Sequence, residues 1–116
     1  MHKIRFTLLV FSAFVFCKSF AQPSKIDSLE NILKQHIADD TVKVNLLNRI
    51  ATSYNSNDAE KTRSYASRAY ELSNKINFLK GKSESLHNLG ISYTNTDMAK
   101  AMTYFNDALS IAETID

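Results

Sequence analysis

Cysteine, proline, glycine and tryptophan are almost missing from these 116 residues: one cysteine, one proline, two glycines and no tryptophan. So little glycine and proline suits a nearly all-helical chain joined by short turns, and it leaves no glycine-rich phosphate loop and no serine elbow. The single cysteine, Cys17, sits in an apolar segment near the N-terminus. Phe16 precedes it where a lipidation signal requires a small side chain, so Cys17 is read as part of a discarded leader. From Gln22 onward there is no thiol, hence no disulfide framework and no cysteine nucleophile. A surplus of one charge is lacking as well. Taking Lys3, Arg5 and Lys18 away with the leader leaves 11 of the 14 basic residues against 12 acidic ones. These are mixed along the chain without the basic stripe that follows a phosphate backbone, so nucleic acid is not an expected partner.

Met1 to Ala21 has the three parts of an export signal. His2, Lys3 and Arg5 form a basic start, Phe6 to Phe16 is apolar apart from Thr7 and Ser12, and Ser19-Phe20-Ala21 offers small residues for cleavage. The apolar run is shorter than the roughly 20 residues needed to span a bilayer. The expectation is a signal peptide at residues 1–21, cleaved near Ala21, and a product in the periplasm or cell envelope. A retained signal anchor is the alternative.

Past the leader, hydrophobic residues recur at helical spacing. Ser24 with Asp27 resembles a capping box, followed by Ile26, Leu29, Leu33 and Ile37 on one face: an N-terminal capping helix within residues 22–40. A second helix is predicted from Thr41 to Tyr54, with Val44, Leu47, Ile50, Ala51 and Tyr54 on its apolar face. Asn55-Ser56-Asn57-Asp58 is a turn whose Asp58 caps a third helix to about Ile76. A fourth runs from about Leu79 to Tyr93, and Asp97 caps a fifth. Gly81 falls near the first turn of the fourth helix, where glycine costs less than in an interior. Gly90 lies inside it at a cost of about 1 kcal/mol against alanine, which makes sense where a facing helix comes close.

The chain then repeats itself. An offset of 39 aligns Leu47 to Asn77 with Leu86 to Asp116 without a gap, with eight identities in 31 positions: Leu47/Leu86, Ser53/Ser92, Tyr54/Tyr93, Asp58/Asp97, Lys61/Lys100, Tyr65/Tyr104, Ala69/Ala108 and Ile76/Ile115. One fixed offset points to an array in which each unit buries its apolar face on the next.

The second unit carries Leu86, Leu89-Gly90, Tyr93, Ala101, Phe105 and Ala108, and the first carries Leu47, Ile50-Ala51, Tyr54, Thr62, Ala66 and Ala69. This pattern resembles the tetratricopeptide repeat over roughly Thr41 to Asp116. It departs from that repeat in its period of 39 against the usual 34 or so, in leucine for the opening tryptophan, and in lacking the closing proline. The longer period is similar to the variant found in exported N-terminal regions of Bacteroidetes-type sensor histidine kinases and related regulators. The segment Asp40 to Asn48 is also similar to what precedes the first repeat there.

The resemblance implies an all-α chain, a short right-handed solenoid of antiparallel hairpins, with one repeat at residues 41–78 and another at 79–116. It also implies a concave surface lined by the first helix of each unit. That surface presents Asn45, Asn48, Arg49, Thr52 and Asn55 from one repeat, and Glu84, His87, Asn88, Ile91 and Thr94 from the other. Asparagine donates to and accepts from a peptide backbone at once, so such a groove suits an extended peptide. A merely solvated face is the competing reading. His87 sits within the repeat opposite Asn48, with no nucleotide-binding segment after it, so it is read as a groove residue and not as a phosphoacceptor. Glu84-x-x-His87 has the spacing of a di-iron motif but occurs once where such sites use two, so neither metal nor cofactor is expected.

The fifth helix carries an apolar face too wide to be covered on one side, with Tyr104, Phe105, Leu109, Ile111 and Ile115 as a candidate stacking face for further repeats or a second copy. The sequence therefore predicts an exported module that binds a protein or peptide without catalysis of its own and forms the N-terminal part of a longer array. The alternative is the sensory input region of a histidine kinase or transcriptional regulator.

Overall fold

The computed structural model describes residues 24–115. The expected signal peptide at residues 1–21 lies outside the described residues. Within them the chain forms five helices and no strand: α1 (Lys25–Gln35), α2 (Thr41–Tyr54), α3 (Ala59–Lys75), α4 (Leu79–Tyr93) and α5 (Met98–Ile115).

Their starts follow from short polar side chains. Ser24 Oγ accepts from the Asp27 amide at 3.2 Å, Asp40 Oδ1 from the Lys43 amide at 3.0 Å, and Asp58 Oδ1 from the Lys61 amide at 3.0 Å. Asp97 Oδ1 takes the Lys100 amide at the same 3.0 Å as its counterpart Asp58. Each such cap is worth about 1 kcal/mol. At the end of α3, Asn77 adopts a left-handed φ of 57° and the Phe78 amide donates to the Ser73 carbonyl at 2.8 Å, closing the last turn and reversing the chain into α4.

Each helix packs on its sequence neighbour, and α2 also touches α4. Val44, Leu47 and Ala69 are buried between α2 and α3, with Leu72, Ile76 and Phe78 around them. Ala51 and Ala66 of the first hairpin meet Leu86, Leu89 and Ala108 of the second. Leu29 of α1 completes a smaller cluster with Leu46 and Ile50. Each fully buried Leu, Ile or Val contributes about 1.5–3 kcal/mol, spread along the stack and not gathered in one centre.

The repeat is visible in the tyrosines. Tyr54 stacks on Tyr65 with ring centroids 6.0 Å apart and planes 13° from parallel, and Tyr93 stacks on Tyr104 at 5.9 Å and 11°. The same pair thus joins the two helices of each hairpin near their turn.

One expectation needs revision. Ile37 does not share the face of α1: the helix ends at Gln35, His36 caps it, and Ile37 is 88% exposed. Gly81 lies in the first turn of α4, as expected, and is crowded as well. A Cβ there would run into Val44 Cγ1 and come within 2.6 Å of Phe78 Cδ2, because α2 crosses α4 at this point. Gly90 is crowded as the sequence suggested, but by the Phe105 ring, whose Cε1 lies 2.5 Å from the position of a Cβ.

Candidate functional site

A groove of about 530 Å³ is bounded by the start of α1, by α2 and α4, and by α5. Its size falls within the range of small-ligand pockets. Six of the ten residues expected on the concave face line it: Asn48, Arg49, Thr52, Glu84, His87 and Asn88. The other four stand apart. Asn55 and Thr94 are the C-caps of α2 and α4, past the last helical turn that faces the groove. Ile91 is half-buried, and Asn45 is exposed one turn nearer the start of α2.

The two asparagines at the floor are not free. Asn48 is 3% exposed and donates from Nδ2 to the Gly81 carbonyl at 3.1 Å. Asn88, 4% exposed, donates from Nδ2 towards the Asn48 carbonyl and Oδ1, both at 3.4 Å. Asn88 Oδ1 accepts from Asn55 Nδ2 at 3.5 Å and lies 3.3 Å from Thr52 Oγ1, which also donates to the Asn48 carbonyl at 2.9 Å. These side chains form a polar ladder between α2 and α4. Backbone carbonyls in a helix have a second lone pair for such bonds, so the ladder joins two units without disturbing either helix. The expected roles of Asn48 and Asn88 as open peptide contacts are corrected accordingly: their amides are already used in joining the repeats. Among the described residues, Asn55 Oδ1 is buried without a partner.

The groove walls come partly from residues not expected on the concave face. Lys25 enters from α1, Ser53 from α2 and Ser83 from α4. Ser83 lies one turn before His87 on the same helix face, so spacing could have found it. Lys25 is 24 residues from Arg49 in sequence and joins it only through the docking of α1. Phe105 and Leu109, expected on a stacking face, form the α5 wall together with Ala112. Phe105 stands where the first repeat has Ala66; its ring lies 5.4 Å from the His87 ring and covers Gly90. Of the remaining stacking-face residues, Tyr104 and Ile111 pack against the hairpin core, whereas Ile115 is 47% exposed.

Away from the groove, Arg63 ties the hairpins together. Its guanidinium lies 3.9 Å from the Tyr93 ring centre and donates to the Ser92 carbonyl at 3.2 Å. Tyr54 and Tyr65 both donate to Glu30 Oε1 of α1, at 2.9 and 3.0 Å. The bond to Glu30, with burial, pushes the Tyr54 hydroxyl up to about 12. Burial first, then the same carboxylate, raises that of Tyr65. At the corner between α1 and α2, Lys43 and Lys75 hold the Asp39 carboxyl below its usual range, and the Lys43 amide with His36 does the same for Asp40.

Among the described residues no helix is long and apolar enough to cross a membrane, and no group of three His, Cys, Asp or Glu side chains is placed to hold a metal. Comparison with protein families matches residues 6–116 to the model described as AimR transcriptional regulator-like. No curated protein and no solved structure matches the chain.

Proposed function

The chain belongs to the AimR transcriptional regulator-like family, and from that premise we propose that it is the ligand-reading helical part of a regulator, which takes a short extended peptide in the groove between α2, α4 and α5. The observation that carries this reading is the groove itself. A floor of buried, mutually bonded asparagines is flanked by exposed Arg49 of α2, by exposed Glu84 and His87 of α4, and by Phe105 and Leu109 of α5. A few polar groups beside an apolar wall are what orients and anchors a small ligand. The proposed role is binding, without a catalytic step. Of the wider roles considered from sequence, the family match speaks for a transcriptional regulator over a histidine kinase.

Export belongs to the proposal as well, on the strength of the basic, apolar and small-residue order from Met1 to Ala21. N-terminal sequencing of the chain recovered from its native host tests it: Gln22 as first residue is expected, and an intact Met1-His2 start in the recovered protein refutes it.

Binding is tested by screening short synthetic peptides against the full chain and against Leu109→Asp. Leu109 is 58% exposed, so the substitution places a charge on the apolar wall with little effect on folding. Peptides retained by the wild type and lost by the variant at unchanged helical circular dichroism are expected. Retention that ignores the variant, or no retention, refutes the groove as the site.

A further inference from the structure

Lys25 opens α1, and its side chain lines the groove. Ser24, which caps that helix, has an extended backbone with φ −63° and ψ 162°, so the chain enters α1 in an extended form at the edge of the groove. Pro23 fixes its own φ and disfavours helix at Gln22 before it. Ahead of these stand Cys17-Lys18-Ser19-Phe20-Ala21, which end at the expected cleavage point. Phe20 precedes Lys25 by five residues and Lys18 by seven. At full extension they reach about 17 and 24 Å from it, enough to enter the groove.

The lining of the groove is asymmetric in a way that suits this segment. Lys25 and Arg49, on α1 and α2, repel a cation, whereas Glu84 on α4 is the one carboxylate among the described lining residues and attracts it. Ser83, beside Glu84 in α4, donates to the Ala108 carbonyl of α5 at 2.9 Å, which sets this part of α4 against the apolar wall of Phe105, Leu109 and Ala112. In an extended segment alternate side chains share a side, about 7 Å apart. Lys18 and Phe20 therefore point the same way, a cation and an aromatic ring together, with small Ser19 and Ala21 on the other side.

We propose that, while residues 1–21 remain attached, Cys17 to Ala21 occupy this groove as an extended intramolecular ligand, and that cleavage at Ala21 opens it to peptides from outside. This rests on the reading of the groove as a peptide site. Lys18 is directed to Glu84 and Phe20 to the Phe105–Leu109 wall. The contact need not be strong, because a short tether gives the segment a local concentration of about 1 mM. With an intrinsic Kd of about 0.2 mM the groove is then closed in about five molecules of six, and an outside peptide binds about sixfold more weakly. Cleavage removes that competition in a single step.

Cys17 is the single cysteine of the chain, so one introduced thiol reports where the segment lies. The test uses the full chain with its first 21 residues in place and a short bismaleimide that joins two thiols, at protein concentrations low enough to keep links within one molecule. His87→Cys puts the second thiol in the groove at an exposed position. Ile37→Cys puts it at an 88% exposed position outside the groove. That site is roughly 18 Å from Lys25 at the helical rise, still within reach of an unbound segment. Linking is expected to be several times faster at position 87, and Phe20→Asp is expected to abolish the difference. In the peptide screen, Phe20→Asp and Lys18→Glu are each expected to raise retention about fivefold over the uncleaved wild type. Linking no faster at 87 than at 37, or retention that ignores Phe20→Asp, overturns the closure. If Leu109→Asp still abolishes retention in that case, the groove reading stands. No peptide retained by any of these chains overturns both.

Discussion

Replacing Asn48 with alanine separates a structural role from a ligand-binding one. The substitution removes the bond from Nδ2 to the Gly81 carbonyl and takes away the Oδ1 acceptor of Asn88, whose amide is left with the Asn48 carbonyl at 3.4 Å. The lost bond is worth about 1 kcal/mol net, and a buried amide left short of partners costs about 1–3 kcal/mol, for a total of about 2 kcal/mol. In a domain of this size that corresponds to a fall in melting temperature of about 10 °C. Thermal unfolding followed by circular dichroism measures it. The neighbouring Arg49→Ala is the control: Arg49 is exposed, so its loss is expected to move the midpoint by about 3 °C or less. A double-mutant cycle with Asn88→Ala should show a coupling of about 1 kcal/mol, since the two side chains share one network. If Asn48→Ala melts like the wild type and only loses ligand, or if the two substitutions are additive, the polar ladder is not what joins the repeats.

Other consequences follow from single contacts. The Tyr54 hydroxyl is expected to ionise at about 12, against 10.0 unperturbed. Between those values the unfolded chain releases a proton that the folded one keeps, so stability should fall as pH rises through this window, and Glu30→Gln should bring the last step of the tyrosinate absorbance titration down. The depressed carboxyls of Asp39 and Asp40 act in the opposite sense. Their contribution is present above the usual 3.8 and lost as pH falls below it, so hydrogen exchange at the corner between α1 and α2 should speed up in acid before the hairpins open. Gly81→Ala is expected to destabilise by about 1–2 kcal/mol, because overpacking against fully buried Val44 outweighs the gain in helix propensity. Gly90→Ala should be milder, since the half-buried Phe105 ring can turn aside. Light scattering on the chain should show self-association that Ile115→Asp weakens, if the exposed Met98, Met102 and Ile115 of α5 meet a second copy; a monomer at all concentrations refutes that.

The secondary structure was legible because its signals are local. Asp40, Asp58 and Asp97 each accept, at a carboxylate oxygen, the N–H of the residue three further on, and apolar residues three and four apart select the buried face, so α2 and α4 end where the periodicity ends. The offset of 39 likewise shows that two hairpins are built alike, and the two tyrosine stacks carry that likeness into space. Ile37 escaped because its spacing suits a helix that the His36 cap has already closed.

The sequence by itself determined the helices, their order and the repeat, all of which depend on contacts within a turn or on a pattern seen twice. Only the tertiary structure decided which polar residues remain free for a ligand. Asn48 and Arg49 are neighbours in the chain and both polar, yet the crossing of α2 over α4 engages the first with Gly81 and leaves the second exposed in the groove. That choice depends on the distance between helices 33 residues apart in sequence, which no local pattern encodes.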